Sequence, residues 1–171
     1  MSLSRRGFLA LGLVPLLAAC SSTVAPMTGP SGGLVPPQLT QGAILAAING
    51  TRARYGKPPL RYNAKLESAA RVQARLMASK DQLSHDLGLS LHRRVVDSGF
   101  VGASGENVAG GHRTLDQAIA GWLDSKGHRE TLLSTRFEEF GLAVATVPGG
   151  KQSRYGIYWA FIAGGPYSAW H

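Results

Sequence analysis

The sequence predicts an α+β domain in which helices come first and strands last. Two observations carry this. From Thr40 to about Gly127 apolar residues recur at the spacing of three and four that marks amphipathic helices. After that the period shortens to two, in "FGLAVATV" and "RYGIYWAFIA", which are rich in β-branched and aromatic residues. Helices that precede strands, instead of alternating with them, favour layered α+β packing over a parallel βαβ sheet.

The first nineteen residues stand apart from that domain. Arg5 and Arg6 form a charged head, Phe8 to Ala19 an apolar run, and "LAAC" a small-residue site ending at Cys20. Twelve residues rise only ~18 Å as a helix, short of the ~30 Å hydrocarbon core, so residues 1–19 read as an export signal and not as a membrane span. Arg5-Arg6 followed by Gly-Phe-Leu resembles the twin-arginine signal class, and "LAAC" resembles a bacterial lipobox that would place lipid on Cys20. Cys20 is the chain's single cysteine, so a lipidated mature protein has no thiol for a disulfide, a nucleophile or a metal. Residues 20–39 are rich in Ser, Pro and Gly and read as a flexible tether, which leaves residues 40–171 as one domain.

Within that domain Thr40 is placed to cap a helix bearing Ile44, Leu45, Ala47 and Ile48, stopped by Gly56 and Pro58-Pro59. Asn63 caps the next, where Leu66, Ala69, Ala70, Ala74 and Met77 form an alanine-rich stripe suited to close contact. Ser90 starts a short third helix through Val95 and Val96 that ends near Gly99. "TLDQ" at Thr114 is a capping box, and Leu115, Ala118, Ile119, Trp122 and Leu123 continue as one apolar face. Gly127 is expected to terminate that helix, with His128 just beyond its last turn. "PGGKQS" then joins the two strand runs into an antiparallel hairpin with Trp159 and Phe161 on one face.

The formal charge of +8 suits anionic surfaces such as lipid headgroups or cell-wall polymers. Basic and aromatic residues do not interleave and no recognition-helix signature is present, which argues against nucleic acid as a partner. No H-E-x-x-H and no G-x-S-x-G occurs, so a conventional zinc peptidase and a serine hydrolase are both disfavoured, although Ser84, Ser125 and Ser134 neighbour polar motifs. Among the histidines, His92, His112 and His171 are expected to face solvent, with His112 close enough to "GENVAGG" to edge a cleft. Trp122, Trp159 and Phe140 read as core. His85, Glu106 and His128 each stand where an element is expected to end, the position from which side chains converge on clefts. Periodicity alone does not bring them together.

The succession "INGTRARYGKPPLRYNAKLESAARVQARLMA", "LSH", "GENVAGG", "WLDSKGHRETLL", "FEEFGLAVA" and "YWAFIA" resembles the CAP superfamily in its short bacterial form, over essentially all of residues 40–165. That group contains cysteine-rich secretory proteins, antigen 5 and plant pathogenesis-related proteins. The resemblance implies an α-β-α sandwich, with an antiparallel sheet between helical layers and a cleft lined by two histidines and two acids. By position the histidines are His85 and His128 and one acid is Glu106, while the second acid's place holds Ser125. Asp124 is adjacent, but one residue along a helix turns the side chain by ~100°. His85 and His128 with Glu106 and water resemble a Zn²⁺ ligand set, weakened by the lost carboxylate. The reading that follows is an envelope-anchored binding module for a small lipid, glycan or peptide, with a divalent metal such as Zn²⁺ left open. Its rivals are a metal-dependent hydrolase of peptide or cell-wall material with Glu106 as base, and a structural envelope protein. Oligomeric state is not legible in the sequence.

Overall fold

The computed structural model describes residues 37–149 and 152–170. The expected signal, the charged pair Arg5 and Arg6, the lipidation site Cys20, most of the tether and His171 lie outside the described residues. Five α-helices and four strands follow in the order α1 (Gln41–Arg54), β1 (Arg61–Tyr62), α2 (Ala64–Lys80), α3 (Leu91–Asp97), β2 (Ala103–Gly110), α4 (Leu115–Asp124), α5 (Lys126–Leu133), β3 (Glu139–Thr146) and β4 (Ile157–Gly165). A 3₁₀ turn, Tyr167–Trp170, closes the described chain.

The strands form one sheet in the order β1-β3-β4-β2. The three long strands are antiparallel, with Phe140 opposite Ala163 and Glu106 opposite Ile162, whereas β1 adds a two-residue parallel contact to β3. Alternation along the strands divides the core. Leu142, Trp159, Phe161 and Ala109 pack with α1, α4 and α5 residues such as Ile48, Trp122 and Leu132. Ala143, Tyr158, Ala160 and Val108 pack with Leu66, Ala70, Met77 and Val95 of α2 and α3. The sheet therefore lies between two helical layers, as expected, with Trp159 and Phe161 on one face.

The two faces differ in how closely the helices approach. A Cβ on Gly141 would stand 1.9 Å from the backbone nitrogen of Glu67, so α2 lies directly on β3 and its alanines are what permit that distance. The opposite face is filled by aromatic side chains, including Phe140 stacked on Phe161 at 5.6 Å and Trp122 beside Phe161 at 5.8 Å.

The expected helix starts are present. Thr40 accepts from the Ala43 amide at 3.1 Å, Asn63 from Lys65 at 2.8 Å and Ser90 from Arg93 at 3.3 Å, while Thr114 and Gln117 form the reciprocal capping box. Two expectations fail. Gly127 does not terminate α4: Ser125 takes an extended conformation, ends α4 at Asp124 and starts α5, so Gly127 and His128 lie in the first turn of a further helix. "ASGENVAG" is a strand, so Glu106 stands in the middle of an element and not at its end. Its small residues are a packing requirement: a Cβ on Gly105 would come within 2.9 Å of the Phe137 ring, and one on Gly110 within 2.8 Å of Tyr155.

Candidate functional site

β2 is an edge strand, and its consecutive residues Glu106 and Asn107 point to opposite faces of the sheet. Each ties down one histidine-bearing segment, and the two segments meet at the strand's free edge. On the α3 side, Oε1 of Glu106 lies 2.9 Å from Nδ1 of His85 and Oε2 lies 2.6 Å from Nη1 of Arg94. On the α5 side, Nδ2 of Asn107 donates to the backbone carbonyl of His128 at 2.8 Å. The two imidazole rings end up 6.1 Å apart, tilted by 42°. His85, Glu106 and His128 are thereby gathered in one place.

The His85 loop, between α2 and α3, is held through its carbonyls by side chains from both helices. Gln73 donates to Ser84 O, Lys80 to Leu87 O, and Arg94 to both His85 O and Leu89 O. Its start is anchored by Asp81, which sits in the left-handed region at φ 49° and accepts from Tyr158 Oη at 2.7 Å and from Ser153. Burial and that bond to Asp81 push the Tyr158 phenol upward, and the bonds from Ser153 and Tyr158 pull the Asp81 carboxyl downward. On the other side, buried Arg52 of α1 donates to Leu132 O at 2.6 Å and to Pro58 O at 2.9 Å, fixing the far end of α5.

Glu106 is 2% exposed in its side chain and Arg94 0%, while His85 is 56% exposed. A carboxylate this deep needs a partner, and Arg94 supplies one at contact distance. Both oxygens of Glu106 are therefore engaged. His85 Nε2 and both ring nitrogens of His128 make no hydrogen bond among the described residues, and these are the polar atoms left to face a ligand.

The two rings are pushed in opposite directions. The hydrogen bond to Glu106 raises the His85 pKa above its ordinary 6.5, and it outweighs the opposing effects of burial and of Arg94. Burial lowers that of His128, helped by the charge on His85. Its place at the positive end of α5 acts in the same sense. As the pH falls His85 is therefore the first of the two rings to take up a proton and His128 the second, a division suited to donating on one side and accepting on the other.

His85 and His128 bring two imidazoles together, and Glu106 stands behind the His85 ring as a carboxylate that orients it, not beside the rings as a third donor. Glu106, the third donor of the expected set, is committed to Arg94 and His85. Among the described residues no group of three His, Cys, Asp or Glu side chains is arranged to hold a metal ion. Ser125 makes no side-chain capping bond and serves as the junction between α4 and α5. Asp124 is exposed at the end of α4 and does not take the second acid's place in any bond to the histidines. His92 is exposed as expected, but His112 is not free in solvent: its ring packs over Gly121 of α4, and its carbonyl accepts from the Trp159 indole at 2.7 Å.

Arg94, Asn107, Arg52 and Gln73 do not figure in the sequence-derived site. Three of them were marked in the sequence all the same. Arg52 stands four residues after Ile48, Gln73 four after Ala69, and Arg94 three after Leu91, so each is a polar residue on an apolar helical stripe. A charge in that position demands a buried partner.

A three-layer α+β domain with a histidine pair at one sheet edge defines an SCP-like domain. The family model for the cysteine-rich secretory protein family, CAP, matches residues 45–162, and the chain belongs to that family. Protein YkwD of Bacillus subtilis (strain 168), described as uncharacterized, is 26% identical over 102 residues, which cover 58% of this chain and 40% of that relative. Among solved structures, an extracellular protein containing a SCP domain from Bacillus anthracis superposes with a TM-score of 0.60 at 24% identity, covering 75% of this chain and 45% of the other. An outer surface protein from Borrelia burgdorferi gives 0.63 at 18% identity, over 77% of this chain and 99% of the other. The chain thus spans less than half the length of its two Bacillus relatives. The structural likenesses, all below 25% identity, support the fold.

Proposed function

We propose that this chain is a binding domain displayed at the cell envelope, and that the paired rings of His85 and His128 receive the polar head of a small lipid, glycan or peptide. One observation carries the reading: both oxygens of Glu106 are engaged inside the protein while the two rings keep free nitrogens at the surface. A general base needs a lone pair within reach of a substrate proton, and Glu106, 2% exposed in its side chain, is covered by Arg94 and the His85 ring. It acts as a positioning carboxylate that fixes the tautomer and charge of His85. Envelope display is supported by the signal and lipobox resemblance around Arg5, Arg6 and Cys20, and by bacterial relatives described as extracellular or outer-surface proteins. No described helix is long and apolar enough to cross a membrane, and anchoring through lipid on Cys20 is supported by the lipobox resemblance alone.

Calorimetric titration of fatty acids, cell-wall glycan fragments and short peptides, each with and without added Zn²⁺, tests the histidine pair. A ligand that binds without metal and loses at least tenfold affinity in both His85→Ala and His128→Ala is the expected result. Binding that appears only with Zn²⁺ would make the ion part of the site, and affinity unchanged by either substitution would remove the site altogether.

A further inference from the structure

We propose that the open edge of β3 is a docking groove for an extended acidic peptide, which adds as a further strand beside Leu142 to Thr146 and places its carboxylates on Arg71 and Arg75. Asn63 N donates to Phe140 O on the β1 side of β3, whereas Val147 N donates to Gly156 O on the β4 side. Strand groups alternate, so the amides and carbonyls of Leu142, Val144 and Thr146 point the same way as those of Phe140, toward β1. But β1 ends at Tyr62, and α2 begins two residues later. Among the described residues nothing bonds Leu142, Val144 or Thr146 on that side. Proteins normally protect such an edge, because unpaired strand groups template the addition of another strand.

Here the edge lies in a groove. A cavity of about 390 Å³ runs along it, with Leu39, Gln41 and Ile44 of the α1 region on one wall and Glu67, Arg71 and Arg75 of α2 on the other. Leu142 lies at the floor and Val144 is half-buried further out. Glu67, Arg71 and Arg75 follow at intervals of four and so share one face of α2. Arg71 pairs with Glu67, and Arg75 makes no ion pair among the described residues. The open stretch is five residues, ~17 Å of extended chain, so main-chain bonds would supply affinity and the arginine wall would select acidic side chains. A second copy of this chain fits less well: it would bring its own Arg71 and Arg75 against these, and α1 and α2 rise on both faces of the edge.

The probe is a blocked, fluorescently labelled pentapeptide that alternates glutamate and valine, titrated into the full chain, with a lysine and valine counterpart as control. The acidic peptide should bind at least tenfold more tightly than the basic one. Arg71→Glu/Arg75→Glu, folded by circular dichroism, should lose that preference, and amide exchange at Leu142 and Val144 should slow on binding. No binding of the acidic peptide, or equal binding by the double variant, overturns the proposal. So does slow exchange at Leu142 and Val144 in the free chain, which would mean that its own residues or a second copy already occupy the edge. Binding abolished by His85→Ala but retained in the double variant would move the peptide to the histidine pair and overturn it too.

Discussion

The two halves of the histidine site are held by opposite means. His85 is fixed through charge: a buried carboxylate grips its ring, and a buried guanidinium grips both that carboxylate and the loop backbone. His128 is held through the backbone of its helix, with Asn107 on its carbonyl and Arg52 on the Leu132 carbonyl at the far end of α5, while its ring is left unbonded among the described residues. The first arrangement sets the protonation of a ring as well as its place. The second sets place alone, and burial then lowers the ring's pKa. A pair assembled this way presents unlike rings although the residues are the same.

If charge holds the His85 half, its removal should be the most damaging change in the site. Arg94→Ala leaves Glu106 buried without its cation and should cost about 3–5 kcal/mol. Adding Glu106→Gln should recover part of that loss, because an amide tolerates burial better than a carboxylate. Chemical denaturation of the two single variants and the double variant checks this, and strictly additive losses would break the proposed coupling. On the His128 half, Asn107→Ala removes one neutral bond and should cost about 1–3 kcal/mol. A loss as large as that of Arg94→Ala would erase the contrast between the halves.

Smaller still are the effects of pH. The raised pKa of His85 means that its contribution to stability is fully present below 6.5 and is lost as the pH rises through the folded value. His128 runs the other way, its contribution present above 6.5 and lost as the pH falls through a lowered folded value. His85→Gln should therefore cost more at pH 5 than at pH 8, and His128→Gln more at pH 8 than at pH 5. Both rings are partly exposed, so each difference should stay below about 1 kcal/mol. Thermal melts at the two pH values give the signs.

This contrast also explains what the sequence could and could not convey. Helices announced themselves through caps and stripes: Thr40, Asn63, Ser90 and Thr114 all cap as their side chains suggest. β2 stayed hidden because close packing under Phe137 and Tyr155 replaced β-formers with glycine and alanine, and tertiary contact overrode propensity. The break at Ser125 was obscured because Gly127 is the more familiar terminator. His85, Glu106 and His128 were named from a family resemblance and not from spacing, since a strand edge joins residues that no local period relates. Arg94 was overlooked although its place beside Val95 on a buried stripe was visible. An acid read without its cation looks like a free ligand or base, whereas Glu106 is bonded to Arg94 and His85.

Glu106 is locked between Arg94 and His85, so that the two rings it leaves at the surface have pKa values shifted in opposite directions. Titration of the His85 and His128 ring protons by NMR, in the wild type and in Glu106→Gln, measures this directly. His85 should titrate above 6.5 and His128 below it, with His85 falling toward 6.5 in the variant while His128 moves little. Rings that titrate together in the wild type, or a His85 value untouched by Glu106→Gln, would contradict it.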